Sequence, residues 1–185
     1  MENIRKKLKE TLDPERYEHS LRVEKAAVEL AGKYGVSSED ASIAGLLHDC
    51  SRKYTKQEML EVAKKIGLEI DPIRKLEPKL FHAEISAYLA EKEFGIKSKE
   101  VLQAIRSHTV GSANMTTLDK VVYLADHMEE GRDFIGVARI RGLAYEDLNK
   151  AVYESVSNML KFLIDNNLPI YPETIIVRNQ FLLKR

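Results

Sequence analysis

The stretch Ala44-Gly45-Leu46-Leu47-His48-Asp49 is an apolar run that leads directly into a histidine and an aspartate. The run is typical of a buried helix that ends at this pair. Consecutive helical residues point about 100° apart, so His48 can approach one metal ion while the next residue faces a second. Asp49 is the natural bridge between two ions because its carboxylate has two oxygens with four lone-pair directions.

Four more residues of the same two types extend this pair into an ordered series along the chain: His19, His82, His108 and Asp126. Imidazoles and carboxylates together are what a pair of divalent transition-metal ions requires. The long spacing means that separate segments must converge, which favours a helical bundle with a metal cluster in its core. Asp126 also ends an apolar segment, residues 121–125, where a buried charge would be costly without a partner such as a metal ion.

The rest of the chain carries helix start and stop signals almost throughout. Asp13-Pro14 predicts the start of a helix that contains His19 and stops at Gly35. Thr55 and Glu58 have capping-box spacing, and residues 145–166 form a long amphipathic pattern. The tail, residues 169–183, contains a β-branched run and leaves helix and strand open. The sequence therefore predicts an all-α fold over a single domain, residues 1–185.

The composition excludes several classes of protein. Lysine plus arginine and aspartate plus glutamate both number 29, so no bulk positive field is present to bind nucleic acid. The one cysteine, Cys50, excludes a disulfide framework and fits a reducing cytoplasm. The charged N-terminus is unlike a signal peptide, and no run of about 18 apolar residues suggests a membrane span. We therefore expect a cytoplasmic protein without a membrane or nucleic-acid partner.

Three motifs together resemble the HD-domain phosphohydrolases. They are Glu18-His19-Ser20-Leu21-Arg22-Val23, Gly45-Leu46-Leu47-His48-Asp49 and Leu124-Ala125-Asp126. The order histidine, His-Asp, aspartate is the signature of that superfamily, and the two intervening histidines are similar to its dinuclear variant. The resemblance implies an HD-domain helical bundle with a dinuclear metal site in the core.

Three further segments carry a more specific signal: residues 104–111, residues 125–134 and the tail Tyr171-Pro172-Glu173-Thr174 with Arg178-Asn179. They resemble one family within that superfamily, the YqeK family of symmetrical diadenosine tetraphosphate hydrolases. The resemblance covers essentially the whole chain. It implies cleavage of a dinucleoside polyphosphate, with diadenosine tetraphosphate converted into two ADP molecules.

The resemblance also implies roles for the metal-binding residues. Asp49 would bridge two ions, and a water activated by both would attack the phosphoanhydride without a protein nucleophile. Iron is the implied metal, although a nitrogen and oxygen ligand set equally admits manganese, zinc or cobalt. The implied ligands are His19, His48, Asp49 and Asp126 for one ion and His82, His108 and Asp49 for the other, with Asp49, His82 and His108 as the catalytic group.

A second set of residues is predicted to bind the substrate. Guanidinium groups match phosphate oxygens bidentately, so arginines near the motifs are assigned to the polyphosphate chain. The resemblance adds two residues that could hydrogen-bond the nucleoside or a phosphate. The full set is Arg52, Lys53, Arg132 and Arg178 for phosphate, with Asp133 and Thr174 from the resemblance.

The same ligand set is compatible with other functions. A phosphohydrolase of other nucleotides or deoxynucleotides would use the same metal residues, and a nucleotide-sensing module would bind without turnover. A structural helical domain with scattered histidines would contain negligible metal. The sequence leaves a monomer and a homodimer open.

Overall fold

The computed structural model describes residues 1–183 and contains helices but no strand in that range, which confirms the all-α prediction. A 3-10 turn, Pro78–Phe81, directly precedes the helix that begins at His82. The helices are α1 (Glu2–Thr11), α2 (Pro14–Tyr34), α3 (Ser38–Leu47), α4 (Lys56–Lys65), α5 (Pro72–Leu76), α6 (His82–Phe94), α7 (Lys99–Ser107), α8 (Thr117–Met128), α9 (Val137–Ala144), α10 (Leu148–Asp165) and α11 (Pro172–Leu183).

Side-chain caps explain where several helices begin and end. The Asp13 carboxylate accepts a hydrogen bond from the Arg16 amide at the start of α2, and Gly35 ends that helix in the left-handed region at φ 67°. Thr55 and Glu58 form the capping box of α4 that their spacing predicts. These local signals set the helix boundaries that the sequence predicts here.

The C-terminal third of the chain differs from the sequence prediction in one boundary. The predicted helix over residues 145–166 begins later, at Leu148, because the Asp147 side chain caps the amides of Asn149 and Lys150. Tyr145 instead ends the separate helix α9. The tail, ambiguous in sequence, is helix α11, and its Val177 side chain is buried.

Helix α3 lies at the centre of the bundle, where it packs against α2, α6, α7 and α8. Its residues Ala44, Leu46 and Leu47 are fully buried. The hydrophobic core continues outward to Leu8 in α1 and Phe181 in α11. The His-Asp pair that follows α3 therefore lies in the middle of the protein.

The described residues, 1–183, contain no helix that is both long and apolar enough to span a lipid bilayer.

Close approach of α3 to α2 requires a glycine at position 45. A Cβ there would lie 2.9 Å from Glu24 Cα and 3.3 Å from the Val23 carbonyl oxygen. We predict that Gly45→Ala lowers the free energy of unfolding by about 1–3 kcal/mol through overpacking. Gly32→Ala is the matched control, since a Cβ at this helical position meets no heavy atom within 4 Å. The control should gain about 0.5–1 kcal/mol. Urea unfolding of the metal-free proteins measures both, and equal stability of the two variants would contradict the prediction.

Candidate metal centre

Three of the histidines sit at helix ends and share one local hydrogen bond. His48 and His108 follow the last residues of α3 and α7, and His82 opens α6 after the 3-10 turn. Carbonyl groups at such ends lack intrahelical partners, and each ring donates its Nδ1–H to the carbonyl three residues earlier. In the neutral tautomer that this bond favours, the proton lies on Nδ1 and each Nε2 is free to bind a metal. The acceptors are Gly45 at 2.7 Å for His48, Ile105 at 2.6 Å for His108 and Lys79 at 2.5 Å for His82.

His19 reaches the same place from the middle of α2. Its Nδ1 lies 3.2 Å from Oε1 of the buried Glu129, and its Nε2 lies 3.2 Å from His48 Nε2. The Nε2 atoms of His82 and His108 are likewise 2.9 Å apart. When the imidazole protons are on Nδ1, the unprotonated Nε2 atoms of each pair face each other, and their lone pairs repel. A cation shared by each pair would turn that unfavourable contact into coordination, so the residues fit metal ions.

Asp49 occupies the position between the two histidine groups, and it is only 4% exposed. Its Oδ2 lies 3.8 Å from His48 Nε2, whereas its Oδ1 lies 3.4 Å from His82 Nε2 and 3.8 Å from His108 Nε2. Each carboxylate oxygen therefore faces a different group. This is the geometry that a bridging ligand needs.

The ligand atoms form two clusters that could each hold an ion. Asp126 completes the first, with its Oδ1 3.1 Å from His19 Nε2 and 3.8 Å from His48 Nε2. Within each cluster, all ligand atoms lie within 4.8 Å of one another. The first cluster is His19, His48 and Asp126, and the second is His48, Asp49 and His108.

Electrostatics keep these groups in the protonation states that bind metal. Burial lowers the pKa of His48 to about 4 and that of His82 to about 3. Burial alone would raise the pKa of Asp49 and Asp126, but the surrounding imidazoles outweigh it and hold both well below the usual range. At neutral pH, the site therefore presents His48 and His82 as neutral imidazoles and both carboxylates in the ionised form, as divalent ions require.

The pKa of His108 shows that the Asp49 carboxylate attracts positive charge. Burial alone would lower the pKa of this imidazole, but its contact with Asp49 raises the pKa instead. A divalent ion at this position would supply the positive charge that the carboxylate attracts.

A cavity of about 620 Å³ opens onto the cluster. Asp49, His82 and Asp126 contribute to its wall together with three arginines, two of which contact Asp49 and one Asp126. The rest of the wall is mixed, with apolar side chains, amides and two charged residues. The arginines are Arg16, Arg52 and Arg132, and the mixed part includes Phe134, Ile135, Met159 and Phe162 with Asn158, Asn166, Lys161 and Asp165.

Two of the residues predicted to bind substrate line this cavity. Arg52 lies with its Nε 3.9 Å from Asp49 Oδ2. Arg132 donates from Nε to the Asp126 main-chain oxygen at 2.8 Å and from its terminal nitrogen to the Asp126 carboxylate. Both arginines thus stand next to proposed metal ligands.

The other four predicted substrate residues lie outside the cavity wall. The Lys53 ammonium is 3.7 Å from Glu93, and the Arg178 guanidinium stacks over the Tyr153 ring, 5.2 Å from its centroid. Asp133 is exposed on the loop before α9, and Thr174 is buried in the first turn of α11. Their roles toward substrate stay predictions.

Three further residues at the centre were missed by sequence reasoning. Arg16 Nη1 lies 3.3 Å from Asp49 Oδ2, and Thr109 Oγ1 lies 2.9 Å from His82 Nε2. Glu129 contacts His19, as described above. Arg16 precedes His19 by three residues and so shares its helical face, which was the available signal. Thr109 and Glu129 carried none beyond their presence inside the quoted motifs.

Comparison with known proteins identifies the class to which this centre belongs. The model of the HD domain family matches residues 16–131, which include every proposed metal ligand. This match spans more than half of the chain, and the chain belongs to the HD domain family.

Individual proteins of known name or structure are similar to this chain over nearly its whole length. The chain is 40% identical over 174 residues to a Bacillus subtilis protein named bis(5'-nucleosyl)-tetraphosphatase, symmetrical, covering 93% of this chain and 92% of the relative. A Halalkalibacterium halodurans protein of the same name is 39% identical, with 96% and 95% coverage. A crystal structure from Clostridium acetobutylicum, described as a predicted HD superfamily hydrolase involved in NAD metabolism, superposes with a TM-score of 0.96 at 40% identity, covering 100% of this chain and 97% of the other.

The bridging position of Asp49 generates a test of the metal centre. We predict that Asp49→Ala lowers the affinity for both ions together by roughly tenfold or more, because each carboxylate oxygen faces a different histidine group. Elemental analysis after equilibrium dialysis against manganese measures the bound metal. Glu39→Ala, on the exposed first turn of α3, is the control and should retain the wild-type content. Retention of one full ion in Asp49→Ala would refute the bridge.

Proposed function

We propose that this chain is a metal-dependent hydrolase that cleaves diadenosine tetraphosphate symmetrically into two molecules of ADP. The observation that carries the proposal is the lining of one cavity, which combines the histidine and aspartate cluster, three arginines beside its carboxylates, and apolar side chains that include Phe134 and Phe162. A nucleoside polyphosphate has groups that match each of these, because its phosphates suit the cluster and the arginines and its base suits the apolar side chains. The names of the Bacillus and Halalkalibacterium relatives support this substrate.

The residues that line the cavity have different roles in this proposal. Divalent ions, when bound, supply Lewis-acid chemistry that makes water a nucleophile at neutral pH and offsets charge on phosphate oxygens. Arg16, Arg52 and Arg132 hold the non-bridging oxygens with bidentate hydrogen bonds. Phe134 and Phe162 provide flat apolar surfaces for one adenine ring.

No protein nucleophile is needed for this reaction. Cys50 follows the bridging aspartate, but its thiol is buried beside the Ser86 carbonyl, and burial raises its pKa to about 12. A thiol in this state is unreactive. Water therefore contributes the oxygen that joins phosphorus, the central P–O–P bond breaks, and the departing ADP carries away the bridging oxygen.

The register of cleavage follows from anchoring one half of the substrate. With one adenosine against Phe134 and Phe162, its two phosphates would extend along the arginines toward the cluster. The second phosphorus would then lie beside Asp49, His82 and Asp126, which line the cavity, and attack by water there would break the central anhydride. The other half of the substrate extends toward the open side of the cavity.

The proposal includes finer assignments. We assign His19, His48, Asp49 and Asp126 to one ion and His82, His108 and Asp49 to the other. Iron is the proposed metal, with manganese, cobalt and zinc compatible with the same donors. Residues 1–185 act as one domain, as monomer or homodimer, in the cytoplasm. The buried free cysteine supports that compartment, and the equal numbers of acidic and basic residues support a substrate other than nucleic acid.

Product analysis tests this function. Protein loaded with iron or manganese is incubated with diadenosine tetraphosphate, and the products are separated by chromatography that resolves AMP, ADP and ATP. We expect ADP alone. Equimolar ATP and AMP would refute the register, and release of inorganic phosphate from mononucleotides without turnover of the dinucleotide would favour a nucleotidase.

Arg132 provides a second test, of substrate binding apart from metal binding. We predict that Arg132→Ala lowers kcat/KM roughly ten- to a hundredfold, the cost of losing a charged hydrogen bond of about 1.5–3 kcal/mol, while the metal content stays at the wild-type level. Arg139→Ala is the control, because Arg139 is exposed and pairs with Glu154. Loss of metal equal to that of Asp49→Ala would show that Arg132 acts through Asp126 instead.

A further inference from the structure

We infer that Glu129 is a positioning residue that orients His19 toward one of the two ions. The inference rests on the metal centre of the proposed function and adds a residue that neither the motifs nor the relatives assign. Glu129 directly follows α8, three residues after Asp126, and is only 2% exposed. A carboxylate buried to this extent needs a specific set of partners.

The two oxygens of Glu129 have different partners. Oε2 accepts hydrogen bonds from Arg22 Nε at 2.6 Å and from the Gly131 amide at 2.5 Å. Oε1 faces His19 Nδ1 at 3.2 Å. The carboxylate is therefore clamped through one oxygen and uses the other to fix the imidazole, with Nε2 directed at His48 and Asp126.

His19 differs from the other three imidazoles in this respect. Each of those donates to a carbonyl three residues away, within its own local backbone. His19 lies inside a continuous helix, where the carbonyls are already used by the helical ladder. It therefore depends on a side chain 110 positions further along the chain. An anionic acceptor also makes the opposite nitrogen a stronger ligand than a neutral carbonyl would.

The surrounding loop is built to hold this carboxylate in place. A Cβ at Gly131 would lie 2.8 Å from Arg22 Nε, so a larger residue here would have to displace the guanidinium group that holds Glu129. Arg141, from α9, donates to the main-chain oxygens of Met128, Glu129 and Arg132, each at 2.8 Å. The loop is thus fixed from both sides. Glu129 connects α2 to the end of α8 at the point where the first cluster forms.

The test measures metal binding by Glu129→Ala, Glu129→Gln and Glu130→Gln in the absence of nucleotide. Glu130 is the matched control because it is adjacent but exposed and pairs with Lys25. Equilibrium dialysis against manganese gives the stoichiometry and affinity of each ion, and cobalt absorption spectra report the ligand geometry. Glu129→Ala should weaken one ion roughly ten- to a hundredfold and leave the other unchanged. Glu129→Gln keeps an acceptor oxygen for His19 and should lose less, while Glu130→Gln should match the wild type.

Two results would overturn the inference. One is a Glu129→Ala protein that melts at a lower temperature but binds both ions with wild-type affinity, which would make Glu129 a purely structural residue. The other is equal weakening of both ions, which would exclude a specific action through His19. Should Glu129→Ala fail to fold, the same criteria apply to Glu129→Gln. Because no nucleotide is present, failure of the proposed hydrolysis would leave this result unaffected.

Discussion

The buried carboxylate of Asp49 is the constraint on which the rest of the structure depends. An ionised group at 4% exposure in a helical core would be strongly destabilising without opposite charge. Asp126, which is partly buried, adds a second negative charge nearby. Burial lowers the pKa of His48 and His82, so these two facing imidazoles are neutral and do not balance the charge. Arginines reach both carboxylates from the cavity side. The remaining need for positive charge lies inside the cluster, where the imidazole nitrogens converge.

Three of the four imidazoles are oriented by hydrogen bonds to main-chain carbonyl groups at helix ends. A helix interior uses its own carbonyls, but a C-terminal turn leaves carbonyls that can accept from a side chain. His48 and His108 exploit the ends of α3 and α7, and His82 exploits the 3-10 turn before α6. Because α3 packs against both α6 and α7, these ends meet at one point. Ligands far apart in sequence can therefore be oriented by purely local hydrogen bonds.

The difference between local and long-range contacts explains how much of the molecule can be predicted from the sequence. Helices α2 and α4 follow from caps within a few residues, and the ligand types follow from a recurring pattern of histidine and aspartate. The later start of α10 depends on the Asp147 side chain, a local cap that takes precedence over the amphipathic pattern. Glu129 and the placement of Arg178 over Tyr153 depend on contacts across 110 and 25 positions. Such contacts leave no periodicity in the sequence, so motif and composition cannot reveal them.

The arginines beside the cluster both balance the charge of its carboxylates and present hydrogen-bond donors to the cavity. A guanidinium group has five N–H donors, so Arg132 can hold Asp126 through the main chain and carboxylate and still present donors to a phosphate. In the proposed function, the arginines confine phosphate groups to the neighbourhood of the cluster. The apolar side chains of the same cavity, Phe162 among them, would independently limit where a base can lie. These two constraints would together select a phosphorus atom by its distance from the base, and a hydrolase needs this selection to cut a polyphosphate chain at one bond.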